Sequence, residues 1–384
     1  EQPLEPTPGR IDTFRDGRRR AMWVPPDGYQ PGRDGQALRL SLDLVIQQMA
    51  EARVREAVKD YGAAGGRVVI MHPRTGELLA VVDVNSDTES LLPSKLRRNR
   101  CVTDPYEPGS TFKPFIWALA SESGLASEEE VLPTPKQGAY RTSFGRRIRD
   151  SHPKGPSTWR DVLVYSLNSG MAMIAERMKH ADMRDLVTSL GFGRSTGCGI
   201  PGETGGIVTS TRTWSHYTQT SVAMGHEIAV TPIQMTRAFS IFANDGRLPP
   251  VSIMACEGPT PPSIQIIEPI TASQTCKIMM EVMTRGTGRR AQSDQYTMFG
   301  KSGTAQLPKA EGGGYHEDRY ISSFIAAAPA TRPEVVVLCV IDDPDRSLGA
   351  WYGGSTAGPV VRDLVDQILP YLGVAASNSL VASD

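Results

Sequence analysis

The sequence contains no run of about eighteen apolar residues, so it offers no candidate transmembrane helix. Its opening, EQPLEPTPGR, lacks the basic and apolar regions of a secretory signal. Neither sign of charge is in excess: 41 basic against 42 acidic residues give a net charge of -1. That balance argues against nucleic acid as a partner, which would call for a basic patch. Cysteine is sparse. Cys101, Cys198, Cys256, Cys276 and Cys339 are far apart and odd in number, and no two stand at a metal-ligand spacing. They read as buried free thiols. The six histidines form no HxH or HxxxH pair. No metal site and no cofactor are expected.

What is present is the composition of a globular protein: 39% hydrophobic and 22% charged residues in a chain of 384. Residues 1–37 are rich in Pro, Gly, Arg and Asp, which predicts a linker or extended arm; its RRR cluster reads as a solvated or partner-facing patch. From LSLDLVIQQMAEARVREAVKDYG the pattern becomes helical, with Ser41 or Asp43 as cap and Gly62 as stop. GRVVIMHPRTGELLAVVDV reads as a β-hairpin turning at HPRTGE, and the basic stretch Leu91 to Thr103 as a loop. Helical segments follow at STFKPFIWALASESG, at STWRDVLVYSLNSGMAMIAERMKH (broken around Asn168–Gly170), at MRDLVTSLGFG, at TPIQMTRAFSIFANDG and at SQTCKIMMEVMTRGTG. Three strand patterns, QYTMFGKSGTAQ, RYISSFIAAAP and EVVVLCVIDD, precede a last helix in AGPVVRDLVDQILPYLG. The order predicts an α+β fold whose sheet is completed by pieces distant in sequence. The tail, residues 373–384, reads as disordered.

Three short motifs carry chemistry. EPGSTFKPF places Ser110 and Lys113 one turn apart where a Pro-Gly turn enters an apolar helix. A serine hydroxyl needs a base, and a lysine can be that base only when neutral, which burial or a second cation brings about. The tetrad alone is a weak signal, for SHPK repeats the spacing at Ser151 and Lys154 in a Pro-containing loop. YSLNSG sets Ser166 and Asn168 at a break between helical stretches. FGKSGTAQ sets Lys301 at the end of a strand, followed by Ser302, Gly303 and Thr304; the glycine permits close approach of a substrate, and Lys301 can depress the pKa of Lys113 and attract an anion.

In this order the three motifs match the set of penicillin-binding proteins and serine β-lactamases. The sequence resembles class B penicillin-binding proteins, of the cell-division or sporulation type, over residues 38–372. GGRVVIMHPRTGELLAVVD, VTDPYEPGSTFKPF, SLGFGRSTGCGIPGETGG, MGHEIAVTPIQMTRAFSIFANDG and WYGGSTAGPVVRDLV extend the likeness beyond the motifs. The resemblance implies a transpeptidase domain with a five-stranded antiparallel sheet between two groups of helices. It implies Ser110 as nucleophile, Lys113 as its base and Ser166 as proton relay. Asn168 would hold the substrate's amide, and Lys301, Ser302 and Thr304, with Gly303 between them, its terminal carboxylate. The backbone N–H groups of Ser110 and Thr304 would form an oxyanion hole. The implied reaction is D,D-transpeptidation of stem peptides ending in D-Ala-D-Ala, stalled by β-lactams. The implied setting is extracytoplasmic, at the inner membrane, beside a glycosyltransferase and division proteins, with residues 1–37 as a remnant of an N-terminal domain and the anchor absent from this stretch. Ser302 stands where the family commonly has Thr. A serine β-lactamase, with Glu203 as a possible deacylating group, and a β-lactam sensor are the alternatives. Trp117 and the Met pairs at 171/173 and 279/280 read as core, His226 as structural, and the glycine run in PKAEGGGYHEDRY as a loop gating the site.

Overall fold

The computed structural model describes residues 4–86, 98–256, 258–260, 262–309 and 313–377. It divides into two compact units, Glu1–Leu40 and Ser41–Asp384. The first is more than an extended arm. Arg10–Ile11 pairs with Tyr29–Gln30, Phe14–Arg15 pairs with Ala21–Trp23, and Phe14 stacks on Trp23 at 5.5 Å.

The second unit is built on one antiparallel sheet. Its strands are β1 (Gly65–Met71), β2 (Leu78–Asn85), β3 (Phe299–Pro308), β4 (Tyr315–Ala328) and β5 (Val335–Asp342), in the spatial order β3-β4-β5-β1-β2. Strand β5 lies centrally and is covered on both faces, which is why it reads as an unbroken apolar run. Val336, Leu338 and Val340 enter the larger core cluster. Val337, Cys339 and Ile341, pointing the other way, enter a second one.

Helices α1 (Leu44–Asp60) and α9 (Ala357–Tyr371) cover the second face. Asp43 caps α1 by accepting from Val45 N and Ile46 N, and Gly62, at φ 53°, ends it. The larger core lies among α2 (Lys113–Glu122), α3 (Trp159–Val164), α4 (Asn168–Ala175), α5 (His180–Ser189), α6 (His216–Val222), α7 (Pro232–Phe239) and α8 (Pro269–Thr284). Helix α6, in the polar stretch HYTQTSV, has no clear apolar period and is not legible from sequence. Thr231 and Gln234 form a capping box on α7.

Several local expectations shift. The break in the 157–180 segment falls at Tyr165–Leu167, and Asn168 opens α4 instead of interrupting it. Arg100–Thr103 forms a one-turn helix, while residues 91–97 lie outside the described residues. Of the loop expected at the glycine run of PKAEGGGYHEDRY, Gly313 and Gly314 lie between β3 and β4, which begins at Tyr315; residues 310–312 lie outside the described residues, as do 378–384 of the tail. Cys101, Cys198 and Cys339 are buried, but Cys256 and Cys276 are only partly so; all five are free thiols. Trp117, Met171, Met173 and Met279 are core, and Met280 packs against it.

Candidate active site

The three motifs arrive from three supports. Pro108 and Gly109, at φ 54°, turn the chain into a 3-10 turn, Gly109–Phe112, which leads directly into α2. Ser110 sits in that turn, half-buried, and Lys113 opens the helix with its side chain fully buried. Gly109 is required twice over: its φ is positive, and a Cβ there would lie 3.2 Å from Thr304 O.

Ser166 ends α3 in a Schellman arrangement. Its N–H donates to Leu163 O at 3.2 Å and the next N–H, of Leu167, to Val162 O at 2.9 Å. The position favours glycine, yet a serine occupies it at φ 61°. Serine there carries a backbone cost that glycine would not. Strand β3 lies at the sheet edge, where alternate backbone N–H groups have no neighbouring strand. Lys301 is the third of its ten residues, inside the strand and not at its end. Gly303 abuts the nucleophile turn: a Cβ would stand 2.8 Å from Pro108 O and 2.5 Å from Ser323 Oγ.

The side chains meet at one hydroxyl. Lys113 Nζ donates to Ser166 O at 2.7 Å and to Asn168 Oδ1 at 2.7 Å, and lies 3.2 Å from Ser166 Oγ. Lys301 Nζ reaches the same Oγ at 3.0 Å and Ser302 O at 3.1 Å. Asn168 is oriented by its Nδ2 donating to Arg149 O at 3.1 Å. Ser302 Oγ shares a hydrogen bond with Thr287 Oγ1 at 2.7 Å, and Thr304 Oγ1 accepts from Gly353 N at 3.0 Å.

Two ammonium groups cannot both stay charged in a dry site on one neutral hydroxyl. Burial brings Lys113 down to about 7, opposed by the Asp150 carboxylate. Lys301 is held well below the usual lysine value, first by burial and then by the charge of Lys113. The expected effect of Lys301 on Lys113 is thus replaced by burial, and the like-charge repulsion falls on Lys301. When Lys113 is neutral, Ser166 O and Asn168 Oδ1, which can only accept, take its two N–H bonds. Its lone pair is then left for a hydroxyl.

These groups stand at a cleft of about 830 Å³, lined among others by Ser110, Ser166, Asn168, Ser302 and Thr304. Ser110 Oγ has no hydrogen-bond partner among the described residues, and its cleft holds no group of three metal-ligating side chains among them. Sequence reasoning missed Asp150, Thr287, Trp351 and Tyr352, which also line the cleft. These lie on loops with no periodic signal. Glu203 accepts from Thr196 N at 2.6 Å and Gly197 N at 2.9 Å and is absent from the lining. It holds a turn.

Comparison with known proteins matches residues 66–366 to the penicillin binding protein transpeptidase domain. The chain belongs to the penicillin-binding protein transpeptidase family. It is 33% identical over 353 residues to a probable peptidoglycan D,D-transpeptidase, PenA, of Neisseria flavescens, covering 91% of this chain and 86% of that one. It is 30% identical to the peptidoglycan D,D-transpeptidase FtsI of Escherichia coli K12, covering 88% of this chain and 56% of that one. Among solved structures, penicillin-binding protein 3 of Mycobacterium tuberculosis in complex with aztreonam superposes with a TM-score of 0.82 at 29% identity, over 91% of this chain and 82% of that one. The chain spans about 60% of the length of several other curated relatives. It is therefore a member of a family of serine acyltransferases, with that family's α+β fold.

Proposed function

We propose that the chain is the catalytic part of a peptidoglycan D,D-transpeptidase that works through an acyl-enzyme on Ser110 and is acylated by β-lactams. The observation that carries this reading is the convergence of Lys113 and Lys301, distant in sequence, on Ser166 Oγ in the cleft that Ser110 also lines. Lys113, which burial brings to about 7, takes the Ser110 proton in its neutral form as Oγ attacks the D-Ala-D-Ala carbonyl. Ser166 passes that proton from Lys113 to the departing D-Ala amine. An amine of a second stem peptide then attacks the ester and regenerates Ser110. Asn168 holds the donor's amide. Lys301, Ser302 and Thr304 hold the terminal carboxylate, whose arrival favours charge on Lys301. Gly303 lets the donor strand lie against β3, and the N–H groups of Ser110 and Thr304 receive the oxyanion.

The same reading takes residues 38–372 as the transpeptidase domain, with residues 1–37 and 373–384 outside it. Work on cross-linked wall requires an extracytoplasmic location and strands supplied by a glycosyltransferase, in a division or related complex. Among the described residues no helix is long and apolar enough to cross a membrane. The test is intact-mass spectrometry after incubation with a fluorescent penicillin, on wild type and Ser110→Ala. A stable adduct on wild type alone supports the reading. Intact penicillin with no adduct sinks it, and hydrolysed penicillin with no adduct points to a β-lactamase.

A further inference from the structure

A second proton-handling group faces the cleft, and the mechanism above does not use it. Gly109 N donates to Gly225 O at 3.0 Å, so Ser110 and His226 each lie one residue beyond a shared backbone bond. A Cβ on Gly225 would stand 2.0 Å from Gly109 O, so the two loops are in close contact. His226 lines the cleft with Ser110. Its Nδ1 lies 2.7 Å from Glu107 Oε2. The other oxygen of Glu107 accepts from Glu227 N at 3.0 Å and from Tyr315 OH, on β4, at 2.8 Å. A carboxylate at Nδ1 places the imidazole proton there and leaves Nε2 as an acceptor. Nε2 has no hydrogen-bond partner among the described residues.

The other bases at the cleft are engaged or unsupported. Asp150 is held by Ser169 N at 2.9 Å and Ser169 Oγ at 2.5 Å. His152 packs against the Tyr352 ring at 5.8 Å and has no carboxylate partner among the described residues. Lys113 and Ser166 serve the departing amine. By microscopic reversibility they also serve the incoming one, which arrives along the same path. A further base beside the same ester therefore acts on a different nucleophile.

We propose that the Glu107–His226 pair activates water against the Ser110 ester, which gives this chain a hydrolytic activity beside transfer. His226 Nε2 takes a proton from water as the water oxygen bonds to the acyl carbon. The C–Oγ bond then breaks, and the same proton passes from Nε2 to Ser110 Oγ, leaving a free carboxylic acid and the original hydroxyl. Glu107 holds the imidazole in place throughout and is a positioning residue. The inference rests on the acyl-enzyme reading above.

The experiment follows the benzylpenicillin adduct of the full chain by intact mass, in wild type, His226→Gln and Glu107→Gln. Acylation and adduct loss are timed in the same samples. The expected result is a fall in the ratio of deacylation to acylation of about 100-fold for His226→Gln and a smaller fall for Glu107→Gln. Hydroxylamine, a strong nucleophile that does not depend on a protein base, should cleave the adduct at wild-type rate in both variants. Equal adduct lifetimes in wild type and His226→Gln would overturn the inference. So would a parallel fall in hydroxylamine cleavage, which would mean that the pocket had been disturbed. Intact penicillin with no adduct on wild type would instead remove the acyl-enzyme reading, and the inference with it; if wild type hydrolyses penicillin too fast for an adduct to persist, His226→Gln should accumulate one, and its failure to do so would overturn the inference.

Discussion

The chain contains two Ser-x-x-Lys tetrads with the same spacing and opposite surroundings. Lys113 is fully buried at the first turn of α2, with carbonyl oxygens on its N–H groups. Lys154 is exposed in a loop, with its ammonium over the Tyr165 ring at 4.5 Å. Ser110 opens onto the cleft from a turn locked by Gly109; Ser151 lines the same cleft from a loop of no regular structure. Spacing alone does not make a base. Removing the ammonium from water does, because the charged form then loses hydration that two acceptor oxygens replace only in part.

The largest contrast is expected at the serines. Ser110→Ala should abolish acylation by a fluorescent penicillin, whereas Ser151→Ala should leave the rate within about twofold, as judged by gel fluorescence against time; comparable losses would erase the distinction. At the lysines, Lys113→Met should slow acylation by about 10²–10⁴-fold and Lys154→Met by about twofold or less, measured as second-order acylation constants.

The pH dependence is the next effect. A base depressed to about 7 is neutral above that value, so acylation should fall about tenfold per pH unit below 7 and level off above it. A flat profile from pH 5.5 to 8.5 would show that Lys113 does not take the proton. The linked effect on stability has the same sign. The unfolded chain keeps the lysine protonated up to its usual 10.5 while the folded chain releases it near 7, so this group makes stability rise with pH across that window. Urea midpoints between pH 7 and 10 in wild type and Lys113→Met would isolate the term.

The smallest effect concerns the two turns. Gly109 and Gly155 both have positive φ, 54° and 86°, so alanine at either should cost about 1–2 kcal/mol. Only at Gly109 does the added Cβ also meet Thr304 O, at 3.2 Å; at Gly155 the nearest atom is Lys136 Cβ at 3.6 Å. Gly109→Ala should therefore lower acylation as well as melting temperature, and Gly155→Ala the melting temperature alone.

Much of the frame was legible because it rests on local rules. Asp43 and Thr231 are side chains that cap, Gly62 accepts positive φ, and the β-branched run VVVLCVI favours a strand buried on both faces. The misplaced break at Tyr165–Leu167 has a physical cause. Sequence pattern puts helix ends at Asn or Gly, and both stand at 168–170, but the left-handed residue is Ser166. The end of the Lys301 strand was misplaced because Gly300, Ser302 and Gly303 are poor strand formers, and the early start of β4 because Glu317 and Asp318 are; pairing of the two strands overrides both. Glu107 stood in plain view beside Pro108, yet its partners, His226 and Tyr315, are 119 and 208 positions away.

By itself the sequence determined most of the elements and which motifs could carry chemistry, since helix caps, alternation and turn residues act over a few positions. Only the tertiary structure decided how far each lysine is removed from water. Burial and partners come from segments far apart in the chain, and desolvation by those segments moves a proton that no local spacing can.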